Sequence, residues 1–210
     1  MGERLDRRLV AVMFTDMAGY TALMQADEHL AVDRRDRYVS ALERHHDAFG
    51  GTIVQRLGDG SMSMFPSSLA AVMAGIAIQR ELAALQIPVR IGVHVGEVIV
   101  EPERLTGDAV NLAARIESFA VPGGVMLSDS AYEQIRNRGD IGVVGLGRFR
   151  LKNGISDARR GRFLLSVRLV RCRRWRECPT YLPWPTERVE YPRRELRANR
   201  SWPRYTQNHR

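Results

Sequence analysis

The tetrapeptide Leu57-Gly58-Asp59-Gly60 lies between two short apolar runs, residues 52–57 and 61–65, and constrains the fold more than any other feature. A Gly-Asp-Gly centre is the chemistry of a tight β-hairpin, so the two runs read as antiparallel neighbours. On both sides the period changes. Residues 9–15, rich in Val, Met and Phe, read as a buried strand, and from Gly19 to about Asp47 the pattern is helical until Gly50-Gly51 breaks it. After the hairpin, Pro66-Ser67-Ser68 starts a second helix over residues 69–85 that Pro88 closes, and strands 89–95 and 97–100 follow around Gly96. The order β-α-β-β-α-β is that of a split βαβ unit.

Gly107 precedes a third helix from Asp108 to about Phe119, which Pro122-Gly123-Gly124 ends. A strand at 125–128, a short helix at 129–137 and a final strand pair around Gly145 and Gly147 carry the pattern to Lys152. The expectation is an α+β fold: a ferredoxin-like split βαβ sandwich, with a βαββαβ core and an appended αβαβ. About 150 residues of this kind bury ~70% of their unfolded surface, enough for a self-standing core.

Charge divides the 210 residues sharply. Residues 1–154 hold 17 Lys and Arg against 19 Asp and Glu, a net of −2, whereas residues 155–210 hold 15 against 5, a net of +10. That second segment also carries Trp175, Trp184, Trp202, Cys172 and Cys178. The chain is therefore divided into a charged N-terminal stretch (1–8), one domain (9–154) and an Arg, Pro and Trp-rich tail (155–210). No apolar run approaches the ~18 residues of a membrane span, and the charged start has no secretory pattern, so no membrane contact and a cytoplasmic address are expected. The basic tail could meet nucleic acid through phosphates and Trp stacking, but a solvated tail is the better reading. The two Cys lie outside any C-x-x-C pattern and read as free thiols. His45 and His46 suit a helix end as cations, His94 reads as a structural strand residue, and Met62, Met64 and Met73 read as core filler.

Two carboxylates stand where a ligand can approach: Asp16, directly after the first strand, and Asp59, in the hairpin turn beside Gly58. The topology places both at one end of neighbouring strands. Such a pair can hold divalent ions that clamp a triphosphate and lower the pKa of an attacking hydroxyl. Met17-Ala18-Gly19-Tyr20, at a helix start, offers backbone N–H groups to phosphate oxygens. Taken singly, Asp16 as a helix cap and Asp59 as a turn residue explain the positions better. Asn111 and Arg115, four apart, share a helix face that suits ribose positioning and offsetting of phosphoryl charge. By spacing alone, a surface Arg beside Glu117 or Asp108 is the stronger reading.

The full set changes that balance. Phe14-Thr15-Asp16-Met17-Ala18-Gly19-Tyr20-Thr21, Leu57-Gly58-Asp59-Gly60, Val89-Arg90-Ile91-Gly92-Val93-His94-Val95-Gly96 and Gly107-Asp108-Ala109-Val110-Asn111-Leu112-Ala113-Ala114-Arg115-Ile116-Glu117 occur in the order and spacing of a known family. The chain resembles the class III adenylate/guanylate cyclase catalytic domain from about Arg8 to Asn153. The resemblance implies attack of a nucleoside triphosphate's 3′-hydroxyl on its own α-phosphorus, giving a 3′,5′-cyclic nucleotide and pyrophosphate. It implies Asp16 and Asp59 as ligands of two Mg²⁺ or Mn²⁺ ions, Asn111 as the ribose-orienting residue and Arg115 as the group offsetting charge on pentavalent phosphorus. Arg90 and Lys152 match phosphate-binding positions. It further implies a homodimer in which the aspartates of one subunit meet the Asn/Arg pair of the other.

Two purine-reading positions depart from the family pattern: Gln55, four before Asp59, often Lys, and Arg104, seven before Asn111, often Asp or Thr. Gln55 donates and accepts, whereas Arg104 only donates and suits a guanine carbonyl. The frequency of adenylate cyclases in the family favours ATP over GTP. A catalytically silent cyclase-like dimerisation domain is the alternative, and a diguanylate cyclase lacks its Gly-Gly-Asp/Glu-Glu-Phe signature here. After Asn153 the usual closing strand is replaced by the Arg-rich tail, which is either a native extension or an out-of-frame read, with 163–167 as a candidate substitute strand.

Overall fold

The computed structural model describes residues 5–101, 104–151 and 163–172. Its strands are β1 (Arg7–Met17), β2 (Thr52–Leu57), β3 (Gly60–Phe65), β4 (Val89–Glu101), β5 (Arg104–Thr106), β6 (Val125–Ser128), β7 (Ile141–Leu151) and β8 (Phe163–Cys172). Its helices are α1 (Tyr20–Ala26), α2 (Glu28–Phe49), α3 (Ser68–Ala84), α4 (Asp108–Ser118) and α5 (Asp129–Glu133). The strands form one sheet in the order β2-β3-β1-β4-β6-β8-β7, with β5 paired to β4. The β2-β3-β1-β4 half is antiparallel throughout, as the split βαβ reading expects, and β4 to β6 is the parallel step.

Strand β1 shows how two layers of helix come to lie on one sheet. Its side chains alternate, so Ala11, Met13 and Met17 enter one core with Tyr38 and Leu42 of α2 and Ile78 and Leu82 of α3. Val10 and Val12 enter a second core on the other face, with Met62, Val98, Leu105 and the α4 residues Ala109 and Ala113. Helix α4 lies close because β4 carries glycine beneath it. A Cβ at Gly92 would stand 2.2 Å from the Glu117 backbone nitrogen, and one at Gly96 would stand 2.8 Å from the Ala109 Cβ. These two contacts also give direction: α4 starts beside Gly96 and ends beside Gly92.

Several boundaries differ from expectation, each for a local reason. The long helix is two helices, because Asp27 is extended (φ −155°) and its carboxylate accepts the Leu30 N–H at 2.9 Å, capping α2. Strand β4 runs unbroken through Gly96, whose lack of a side chain accommodates α4 rather than ending the strand. Strand β5, three residues long, is too short to leave a periodic signal, and α5 is shorter than the expected 129–137. Gly145 and Gly147 mark a register shift within the single strand β7, not a strand pair. The candidate strand at 163–167 is part of β8, which pairs with both β6 and β7 and completes a closing hairpin. His46 is not a helix-end cation: it is buried against Phe65, and burial lowers its pKa and favours the neutral form. The tail's three Trp and Cys178 lie outside the described residues, as does Lys152.

Candidate active site

Asp16 closes β1 and is flanked in register by Gly60 on one side and Arg90 on the other. Asp59 sits in the two-residue loop between β2 and β3, where Gly58 takes a φ of 72°. That turn is anchored: the Met17 N–H donates to the Asp59 carbonyl at 3.0 Å. Register and this bond bring the two aspartates to one sheet end, and they are near enough that the Asp59 charge raises the Asp16 pKa. Asp16 caps no helix, since α1 begins four residues later, at Tyr20 behind Gly19.

A guanidinium lies at this end of the sheet. Arg90, the second residue of β4, donates from its terminal nitrogen to Asp16 Oδ2, and its Nε lies 3.4 Å from Glu117 Oε1. Burial raises the Asp16 pKa against the opposing hydrogen bond and charge of Arg90. Burial likewise pushes Glu117 up to about 7, assisted by the Asp16 and Asp59 charges and opposed by Arg90. Asp16 and Glu117 thus share the Arg90 guanidinium in a half-buried place, with the Asp59 charge close enough to raise both, an electrostatic deficit that a divalent ion would fill.

The residues present fit such an ion. Arg90 already seats a cation on Asp16, and Gly60 leaves that carboxylate open, since a Cβ there would come within 3.7 Å of Asp16 Oδ1 and 2.8 Å of the Thr15 carbonyl oxygen. Among the described residues no group of three His, Cys, Asp or Glu is placed to hold a metal alone. The hard oxygens of Asp16 and Asp59 would therefore share the ion with backbone carbonyls, water or phosphate.

On the opposite face of β1, Thr15 supports the same strand end. Its hydroxyl lies 2.6 Å from Tyr38 Oη and 2.8 Å from Ser61 Oγ, tying α2 and β3 to the residue beside Asp16. Burial raises the Tyr38 pKa to about 12, keeping the phenol protonated.

The other candidates are placed elsewhere. The Met17 and Ala18 N–H groups are not open to phosphate, because they donate to the Asp59 and Pro88 carbonyls, leaving Gly19 and Tyr20 at the start of α1. Gln55 is exposed on β2 opposite Met62, and Arg104 is exposed at the start of β5 opposite Glu101. Helix α4 buries Ala109, Ala113 and Ile116. Arg115 is two residues, roughly 200° of helix rotation, from Glu117, so it cannot face the Arg90 cluster as Glu117 does. Asn111 is exposed and shares the Arg115 face. The structure brings Asp16, Asp59 and Arg90 together and leaves Asn111 and Arg115 on another surface of the same chain. Glu117 is the residue that sequence reasoning passed over as a mere neighbour of Arg115; Gly92, two residues after Arg90, signalled the close helix but not which residue it carries.

Comparison with known proteins gives the family and the fold. The profile of the family described as Adenylate and Guanylate cyclase catalytic domain matches residues 5–165. A Rhizobium meliloti protein named "Putative adenylate cyclase 3" is 38% identical over 162 residues, covering 72% of this chain and 27% of the relative. The chain thus spans about a quarter of that relative's length. The crystal structure of an adenylate/guanylate cyclase/hydrolase from Silicibacter pomeroyi aligns with a TM-score of 0.65 at 29% identity, over 79% of this chain and 97% of that one. The adenylyl cyclase CyaB from P. aeruginosa shares the fold, with a TM-score of 0.69 at 22% identity over 80% and 96% of the two chains. With its sheet order, its paired aspartates and a family match over most of its length, the chain belongs to the adenylate and guanylate cyclase catalytic domain family.

Proposed function

We propose that this domain converts a purine nucleoside triphosphate, ATP in preference to GTP, into the 3′,5′-cyclic monophosphate and pyrophosphate for second-messenger signalling in the cytoplasm. The observation that carries the reading is the meeting of Asp16 and Asp59 at one sheet end, with the Arg90 guanidinium between Asp16 and Glu117. When bound there, two Mg²⁺ or Mn²⁺ ions would lower the pKa of the 3′-hydroxyl and offset triphosphate charge. Asp16 and Asp59 hold the ions, and Arg90 is within reach of the triphosphate. Asn111 orients the ribose and Arg115 offsets charge on the pentavalent phosphorus. Because the α4 face carrying Asn111 and Arg115 is turned away from the chain's own aspartates, a complete site takes that face from a second copy, and a symmetric homodimer holds two sites. ATP is preferred on the name that the Rhizobium relative carries; Arg104, a donor only, is the residue that pulls toward guanine.

The Arg90 guanidinium on Asp16 favours a second reading, a catalytically silent domain that dimerises and regulates. Purified protein with ATP or GTP and Mn²⁺, beside an Asp59→Ala control, separates the two. Cyclic product that vanishes in the control supports catalysis and names the base. A folded dimer without product supports the silent domain.

A further inference from the structure

Arg90 is held by one contact and lacks a second. Its terminal nitrogen is satisfied on Asp16, while its Nε and the facing Glu117 Oε1 are both buried with no hydrogen-bond partner. The 3.4 Å between them is an ion-pair distance just beyond the 2.7–3.2 Å of an N–H···O bond. Buried polar atoms left this way are uncommon and costly, and a pair of them facing each other is a bond awaiting a small movement. Glu117 is the less mobile of the two, its side chain 15% exposed. Its backbone nitrogen is packed on Gly92, where even a Cβ would collide at 2.2 Å, so the carboxylate is presented from a fixed floor. Arg90, with a long side chain one-third exposed, is the mobile partner.

We propose that Glu117 is a positioning residue that receives Arg90 when a divalent cation takes Asp16. The inference rests on the reading of Asp16 as a metal residue and deepens it. In the metal-free chain the guanidinium stands in for the cation on Asp16. Arrival of a divalent ion sets two positive charges on one carboxylate, and repulsion moves the guanidinium off it. A shift of a few tenths of an ångström toward Glu117 closes the Nε–H···Oε1 bond and satisfies both orphaned atoms. Held at Nε, the guanidinium can then pivot so that its terminal nitrogens swing off Asp16 and are ready for an anionic phosphate. Without Glu117 the displaced guanidinium would leave toward solvent or return to compete with the metal.

Mg²⁺ titration of the ¹⁵N-labelled full chain, without nucleotide, tests this. Backbone amides of Met17 and Gly60 report the metal, and the Arg90 Nε–H, assigned by its absence in Arg90→Lys, reports the transfer. The expected result is a downfield shift of the Nε–H with the same midpoint as the amides. In Glu117→Met, which keeps the side chain's length but has no oxygen to accept the bond, the amides should still respond, at a midpoint raised about three- to tenfold, the size of a contact-level coupling, and the Nε–H shift should disappear. Amide shifts with a stationary Arg90 Nε–H in the wild-type chain would overturn the transfer while leaving the metal reading intact. An Nε–H response unchanged in Glu117→Met would remove Glu117 from it. Amides that do not move at any Mg²⁺ concentration would defeat the metal reading and this inference with it. The wild-type arm decides whether Arg90 moves even if the variant fails to fold.

Discussion

Thr15 and Asp16 are consecutive in β1 and face opposite sides of the sheet, and the two sides are built on different principles. Thr15 is 2% exposed, with its hydroxyl bonded to Tyr38 and Ser61 beneath the α2 and α3 layer, where Leu42, Ile78 and Leu82 are fully buried. Asp16 is half-buried on the α4 side, its pKa raised by burial, and its one cation is shared with another carboxylate. On one side the hydroxyls of Thr15, Tyr38 and Ser61 satisfy one another around the strand end. The other leaves charge uncompensated beside it. A sheet that fixes a backbone from one face can present uncompensated charge on the other, so a small domain can hold two aspartates at one sheet end without losing the fold.

The largest effects should come from the charged side. Asp59→Ala should lower metal-dependent turnover by at least about 10³-fold with the unfolding midpoint little changed, since Asp59 lies in a loop and supports no core. Arg115→Ala should lower kcat by about 10²–10³-fold with KM nearly constant, as a contact made only in the transition state does. Mixed in equal amounts, the two inactive chains should regain about a quarter of wild-type activity, because half of random dimers carry one intact site out of two. No recovery in a verified heterodimer would show that the two faces do not meet across chains.

On the packed side the expected loss is of stability. Ile78→Ala removes a fully buried side chain between α3 and the sheet and should cost about 3 kcal/mol in urea unfolding, with turnover per folded molecule unchanged. A large fall in turnover at full folding would mean that the packed face tunes the chemistry directly, against the division drawn above.

These contrasts also explain what was legible in the sequence. The β-α-β-β-α-β order, the hairpin at Gly58-Asp59 and the placing of Asp16 follow from local period and turn chemistry, which the chain writes out in order. The Arg90–Glu117 pair does not, because it depends on the crossing of α4 over β4, set by glycine contacts at positions 92 and 96 rather than by any local pattern. The same holds for Met17 and Ala18, whose N–H groups read as free in a loop and are taken by carbonyls from two distant segments. Asp27 was readable in principle as a cap, but the helical period on both sides of it masks the break.

Tyr38→Phe sharpens the comparison at smaller scale. It deletes one hydroxyl while leaving the 2.8 Å contact of Thr15 with Ser61, and should cost about 1–1.5 kcal/mol. Because Thr15 adjoins Asp16, a loosened strand end should also weaken Mn²⁺ binding by a few-fold. Weakened stability with unchanged Mn²⁺ affinity would confine the hydroxyl chain to a packing role.

The smallest effect expected is in the pH dependence of stability, and its sign separates Glu117 from ordinary surface carboxylates. Burial and the neighbouring aspartates raise its pKa from 4.5 to about 7 in the folded chain, so between those values the folded state holds a proton that the unfolded chain has released. The stabilisation is full below pH 4.5 and is lost as pH rises through 7. Glu117→Gln mimics the protonated form and should remove this slope, converging with the parent near pH 4.5 and exceeding it in urea midpoint at pH 8. Solvent at the open side of the site keeps the difference below that of Tyr38→Phe. Mg²⁺ at pH 8 should narrow the gap, since a divalent ion offsets the same excess of negative charge. Parallel midpoints for the two proteins from pH 4.5 to 8 would show that Glu117 is as well solvated as any exposed carboxylate, and that the α4 side stores no electrostatic strain at this position.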